Sequence, residues 1–163
     1  MDSFTIVEFS TQYKEDVKAL LRELQEYIVE LDPYKLNVLK DGYEDKCFEI
    51  DYSEVIKNNG IIYLALENNI AVGLIMGVIR KPVIEYDYER KYNMGEITEL
   101  IVRKNVRSKG VGKKLIDKME LYFKEKNCNT VNIDVFGYNE VGKKFYFKNG
   151  YQTRMMTVSK KIK

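Results

Sequence analysis

EITELIVRKNVRSKGVGKKLIDKMELYFKEK, residues 96–126, joins a strand-like run to a helix-like run through a basic turn. Residues 96–102 are mostly apolar or β-branched, as suits a buried strand. Val111, Leu115, Met119, Tyr122 and Phe123 recur at helical spacing, so an amphipathic helix is expected to continue to about residue 126. At the junction stand Arg107-Ser108-Lys109-Gly110-Val111-Gly112. Such a turn suits a bound phosphate. Glycines remove the Cβ atoms that would keep a phosphate from the backbone, and the unpaired N–H groups and dipole of the helix N-terminus supply donors and partial positive charge.

Two common phosphate motifs are excluded by spacing. A Walker A loop needs Gly where Arg107 stands and Ser or Thr where Lys114 stands, and a dinucleotide fingerprint has Gly where Leu115 stands. What fits is Arg-x-x-Gly-x-Gly between a strand and a helix. Downstream, NEVGKKFYFKNGY at residues 139–151 supplies an Asn, a small residue three positions on, an aromatic pair and a Gly-aromatic ending. With these two motifs in this order, the chain resembles the GNAT superfamily of N-acetyltransferases. The resemblance implies an α/β single-domain fold over residues 1–163. Its mixed central sheet would have about six or seven strands flanked by about four helices, and a splayed pair of parallel strands would hold acetyl-CoA.

The chain has 163 residues, 45% of them apolar and 12% aromatic, enough for one globular domain with its own core. The N-terminus MDSFTIVEFS lacks the pattern of a secretory signal, and no run approaches the length of a bilayer span, so a cytoplasmic protein without membrane partners is expected. The chain has no histidine, and Cys47 and Cys128 are far apart, which rules out a Cys-His or Ser-His nucleophile and a zinc site. No metal is expected. Acid-base chemistry is left to Glu, Asp, Tyr or water.

The net charge of +2 conceals a polarity along the chain. Residues 1–102 carry 11 Lys and Arg against 20 Asp and Glu, net −9, whereas residues 103–163 carry 16 against 5, net +11. A basic half around coenzyme A phosphates and an acidic half around a cationic amine would explain both signs by steering. The acidic run DGYEDKCFEIDYSE, residues 41–54, has six carboxylates against Lys46; in the family the corresponding region forms one side of the acceptor cleft. The plainer readings are a solvated face, or halves paired with each other or across a dimer. Nucleic acid is not an expected partner, because the lysines at 113, 114, 118, 124 and 126 are the ordinary polar dress of a surface helix.

The remaining pattern gives a coarse map. Residues 4–9 alternate like a strand, and residues 11–31 carry a helical stripe capped by Ser10 or Thr11 and closed by Pro33. A short helix at 34–40 leads into the acidic run, read as a loop. Residues 61–66 and 70–79 form a hairpin about Glu67-Asn68-Asn69, and Lys81-Pro82 ends its second strand. A strand at 130–135, a helix at 139–148 and a last strand at 151–158 after Gly150 complete the order.

Acetyl transfer to an amine needs a base, a polarised carbonyl and a proton for the departing thiolate. Glu99 and Glu96 are the candidate bases; three residues apart, they would face opposite ways on a regular strand unless a bulge intervenes. In the family such a bulge is common, and a carboxylate at the place of Glu99 points at the acceptor, which favours Glu99. Tyr146 matches the family tyrosine that protonates the coenzyme A sulfur. The resemblance further implies that Asn139 binds the pantetheine arm, that backbone groups of Ile101 and Val102 pair with it, and that Arg107, Ser108, Lys109, Gly110, Val111, Gly112 and Lys113 hold the pyrophosphate. Gly142, where Ala is usual, would leave space for the cofactor. The acceptor would be a small-molecule amine, cationic in preference, or a peptide amine, and a homodimer is implied by the family alone. The alternative is a catalytically silent coenzyme A-binding sensor or interaction module.

Overall fold

Ile70–Arg80 is buried at every position from Ala71 to Ile79, and the other elements are layered on its two faces. The structure, a computed structural model, describes residues 4–81 and 93–162. The strands are β1 (Thr5–Glu8), β2 (Ile61–Glu67), β3 (Ile70–Arg80), β4 (Asn93–Val102) and β5 (Cys128–Ile133), and the helices are α1 (Lys14–Leu31), α2 (Tyr43–Lys57), α3 (Val111–Glu125) and α4 (Glu140–Lys148). The sheet runs β1-β2-β3-β4-β5; its first three pairings are antiparallel, and β4 with β5 is parallel. A strand buried on both faces must be apolar throughout. Leu74, Met76 and Val78 of β3 meet Val17, Leu20 and Leu21 of α1 and Phe48 and Val55 of α2. On the other face Ile75 and Ile79 join Leu115, Ile116, Met119 and Phe123 of α3 and Tyr146 of α4.

The hairpin forms as its sequence predicts. Asn68 and Asn69 both adopt positive φ, 51° and 63°, which matches the right-handed twist of the flanking strands and which Asn tolerates. Strand β3 ends at Arg80 as expected; Pro82 lies outside the described residues.

Residues 34–40 form no helix, and the acidic run does. Asp32, buried at the end of α1, accepts hydrogen bonds from the backbone N–H groups of Tyr34, Leu36 and Asn37 at 2.9, 2.7 and 2.8 Å and from Asn37 Nδ2 at 3.0 Å. These bonds satisfy the donors a helix would otherwise use, and they arrest the chain in a turn. The hydrogen bond from Asn37 leads several that hold the Asp32 carboxyl down to about 2. Helix α2 then starts after Gly42, which has φ 71°, and spans most of the acidic run. Phe48 and Val55 lie on one buried face, with Tyr43 and Cys47 half-buried, a pattern hidden by the surrounding carboxylates.

The last expected strand, 151–158, is absent, and the sheet has five strands among the described residues where six or seven were expected. Tyr151 is anchored, its N–H to Tyr146 O at 3.1 Å and its hydroxyl to Glu120 Oε1 at 2.8 Å. Beyond it Met155, Met156 and Val158 are exposed, as are Arg154, Lys160 and Lys161. A segment with strand-like composition but no pairing partner gains no ladder hydrogen bonds to offset its ordering entropy.

Glycines line the seat of helix α3 on the sheet. A Cβ at Gly95 would fall 2.5 Å from the Phe123 ring, and one at Gly77 2.6 Å from Met119 Sδ. Phe123 and Met119 are fully buried and cannot retreat. Gly95→Ala is therefore expected to cost about 1–3 kcal/mol by overpacking. A lowered urea midpoint with an unchanged slope would show this, and an unchanged midpoint would contradict the seat.

Candidate active site

Strands β4 and β5 pair from Asn93 opposite Cys128 to Ile97 opposite Ile133 and then part, whereas β4 continues beside β3 until Val102 faces Gly73. The register between β3 and β4 slips at the same place. Met76 faces Glu99 but Gly77 faces Ile97, so Thr98 is an extra residue on β4. The bulge has two effects. It turns β4 from β5 and leaves residues 98–102 without a strand neighbour on that side. It also brings Glu96 and Glu99 to one face, opposite Val78 and Met76, where a regular strand would separate them.

At the end of the opened strand lies the Gly110 turn. Ser108 and Gly110 have φ of 65° and 84°, and Gly110 is the N-cap of α3. A Cβ at Gly110 would meet nothing within 4 Å, so its need for glycine is conformational. Gly112 serves packing: a Cβ there would lie 3.1 Å from Phe145 Cζ on α4. No described group accepts the backbone N–H of Lys109, Gly110, Val111, Gly112 or Lys113. These are orphan donors at a helix N-terminus, suited to an anion. Lys113 pairs with Asp117 one turn along α3. Arg107 Nε donates to Val102 O at 2.8 Å, so the side chain braces the turn against β4 and covers one carbonyl expected to face pantetheine.

The two carboxylates on β4 have different surroundings. Glu96 is paired with Arg80, which also binds Glu54 of α2. Glu99 accepts no hydrogen bond and forms no ion pair with any described residue. Burial, and secondarily the charge of Asp51, raise its pKa to about 8. A carboxyl poised near neutrality suits a general base, whereas Glu96 is committed to a structural bridge. The structure thus separates two candidates the sequence leaves side by side.

Tyr146 is buried on α4, with Phe145 and Tyr151 edge-on at 5.3 and 5.7 Å between ring centroids. Its hydroxyl has no described hydrogen-bond partner, and burial followed by the Glu99 charge drives its pKa well above the usual phenol value. Opposite, α2 contributes Tyr43, Cys47 and Asp51. Cys47 Sγ lies 3.3 Å from Tyr43 Oη and 3.1 Å from Asp51 Oδ2, to which the thiol donates. Burial pushes that thiol up to about 12, which keeps it protonated and unsuited to nucleophilic attack at neutral pH. Burial and Glu54 raise the Asp51 carboxyl as well. Two surface depressions near the C-terminal end of α2, one lined by Glu49, Ser53 and Glu54 and the other by Asn59, Ile79 and Arg80, include none of Glu99, Tyr146, Tyr43, Cys47 and Asp51.

Residues 18–151 match the model of the acetyltransferase (GNAT) family. The chain belongs to this family. An uncharacterized N-acetyltransferase of Methanocaldococcus jannaschii is 35% identical over 63 residues, which span 38% of this chain and 40% of that protein. Among solved structures, a Pyrococcus furiosus protein provisionally described as an acetyl transferase superposes with a TM-score of 0.74 at 24% identity, covering 98% of this chain and 99% of its own. An aminoglycoside N-acetyltransferase in complex with CoA does so with 0.72 at 15% identity, covering 97% and 93%. At these identities the likeness shows the shared GNAT fold.

At the GNAT family's second motif, Asn139 caps α4. Its Oδ1 accepts from Gly142 N at 2.8 Å and from Tyr27 Oη, which reaches across from α1, at 3.1 Å. Only the Nδ2 donors remain for a ligand. The space at Gly142 is not left for a cofactor as expected, since a Cβ there would fall 2.5 Å from Asn139 Nδ2. Glycine here admits the cap's own side chain. Ile101 is buried against α1, so its backbone alone can face the gap. Sequence reasoning missed Asp51, Tyr43 and Tyr27. The first two lay within a run read as a loop, and Tyr27 was only one tyrosine of thirteen in a helical stripe.

Proposed function

We propose that the protein transfers an acetyl group from acetyl-CoA to a primary amine within a ternary complex, as a one-domain enzyme of the cytoplasm. The observation that carries this reading is Glu99 without a partner at the bulge, with Tyr146 within its electrostatic reach and the β4–β5 gap leading to the Gly110 turn. The gap and the orphan N–H groups suit acetyl-CoA as the cosubstrate. Pantetheine would add to β4 beside Ile101 and Val102 as a missing strand does, and the pyrophosphate would take the amides of residues 109–113. Pairing with Val102 O requires Arg107 Nε to release it.

In the reaction, the amine nitrogen attacks the thioester carbonyl carbon, the C–S bond breaks and an amide forms. Before attack the ammonium gives one proton to Glu99, directly or through water; the departing sulfur takes the Tyr146 proton, and the phenolate recovers one from the nitrogen as the amide forms. A phenol held protonated by burial suits that second step, because it donates to a developing thiolate without competing as an anion. The acceptor is a cationic amine. Lys18 neutralises Asp45, Arg22 binds Glu44 and Arg80 binds Glu54, so these carboxylates of α2 are already paired. Asp51 and Glu99 have no cation among the described residues, and an ammonium group between them would relieve both.

The test is thiol release from acetyl-CoA with polyamines, aminoglycosides and peptide amines as acceptors. Release confined to cationic acceptors supports the reading, and silence across the panel contradicts it. Because a base must be ionised to act, kcat/KM is expected to rise with pH through about 8, and Glu99→Gln to remove that limb; an unchanged profile would exclude Glu99. Tyr146→Phe is expected to lower kcat roughly 10- to 100-fold with little change in acetyl-CoA affinity. Unchanged turnover would remove Tyr146 as the acid.

A further inference from the structure

We infer that Tyr27, on α1 and outside both sequence motifs, is a positioning residue for the coenzyme A site: it orients Asn139 through its hydroxyl and steadies Arg107 through its ring. The inference rests on the reading of the β4–β5 gap and the Gly110 turn as that site.

Helix α1 crosses the sheet with Glu23 and Tyr27 one turn apart on the side facing the turn that precedes α3. Glu23 Oε1 accepts the backbone N–H of Lys104 at 3.3 Å. Tyr27 makes two further contacts that no other described residue joins. The Arg107 guanidinium carbon stands 5.7 Å from the centre of its ring, and its hydroxyl lies 3.1 Å from Asn139 Oδ1. A cation over an aromatic face is held electrostatically, more strongly where water is partly excluded. Arg107 is tied at its other side to Val102 O. One half-buried tyrosine therefore touches both the turn that precedes α3 and the cap of α4.

The identity of the Asn139 atoms follows from their partners. Gly142 N–H can only donate, so the atom it meets at 2.8 Å is the carbonyl oxygen. With Tyr27 Oη donating to the same oxygen, the carbonyl is held from two sides, and both Nδ2 donors, which lie against Gly142, are unpartnered among the described residues. Without the hydroxyl, Asn139 keeps its cap but loses the constraint on where Nδ2 points. Without the ring, Arg107 loses one of its two supports.

The two halves of Tyr27 are separable by substitution and ligand. Tyr27→Phe keeps the ring over Arg107 and deletes the hydrogen bond to Asn139; Tyr27→Leu deletes both. Isothermal titration of coenzyme A and of ADP, which has the pyrophosphate but no pantetheine arm, reads each part. Tyr27→Phe is expected to weaken coenzyme A roughly three- to tenfold, the size of one hydrogen bond, and to leave ADP unchanged. Tyr27→Leu is expected to weaken both. A protein merely loosened by the substitution would lose affinity for the two ligands alike, and thermal unfolding of each variant shows whether it has. Equal losses for both ligands in Tyr27→Phe, or coenzyme A binding that is unchanged or tighter, would overturn the inference while leaving the site in place. Failure of the wild-type protein to bind coenzyme A would overturn the site and the inference together.

Discussion

Thr98 has no counterpart on β3, and this single extra residue sets the direction of β4 for the rest of its length. Before it, β4 is hydrogen-bonded on both sides. After it, β4 keeps β3 and loses β5. The residue bears a local cost, since its buried Oγ1 finds no hydrogen-bond partner among the described residues, an omission of about 1–3 kcal/mol in other proteins. The rest of the sheet is well placed to offset it. Val17, Leu20, Leu64, Leu74, Met76, Leu115 and Met119 are fully buried on its two faces, so the strand can be distorted at one point without loss of the layer. Violations of local rules gather where a fold does chemistry, and here one lies beside Glu99.

The charge asymmetry of the chain becomes specific once the elements are placed. Much of the acidic half is consumed in holding helices and strands together, through Lys18 with Asp45, Arg22 with Glu44, and Arg80 with Glu54 and Glu96. The plain expectation of paired halves therefore accounts for part of the acidic run. It leaves Asp51 and Glu99, both held toward the protonated form by burial, near Tyr146 and the thiol of Cys47. The basic half includes a turn whose N–H groups have no acceptor among the described residues. Opposite needs at the two ends of one gap are what a thioester polyanion and a cationic amine would satisfy.

Much of this was legible in the sequence because periodicity and glycine placement report backbone geometry directly. The strand ending at Val102, the Gly110 turn, helix α3 and helix α4 stand where their patterns placed them. The misreadings have physical causes. Asp32 stopped a helix by accepting backbone donors, which a propensity count does not register. Carboxylates on its exposed face hid the apolar stripe of α2. Residues 151–158 look like a strand, but strand formation depends on a partner, which lies outside the local sequence. The roles of Gly112 and Gly142 were assigned to ligand space, whereas Phe145 and Asn139 fill that space. Tyr27 is joined to Asn139 across 112 positions, and no pattern in one sequence reports such a contact.

The central claim is that coenzyme A enters where β4 leaves β5 and ends on the Gly110 turn. Amide hydrogen exchange with and without coenzyme A tests it most directly, because the N–H groups of residues 109–113 assigned to the ligand have no partner among the described residues. Slowed exchange is expected in the segments spanning residues 98–102 and 109–113, with no change in β1 at the far edge of the sheet. Protection confined to other segments, or none at saturating coenzyme A, would contradict it.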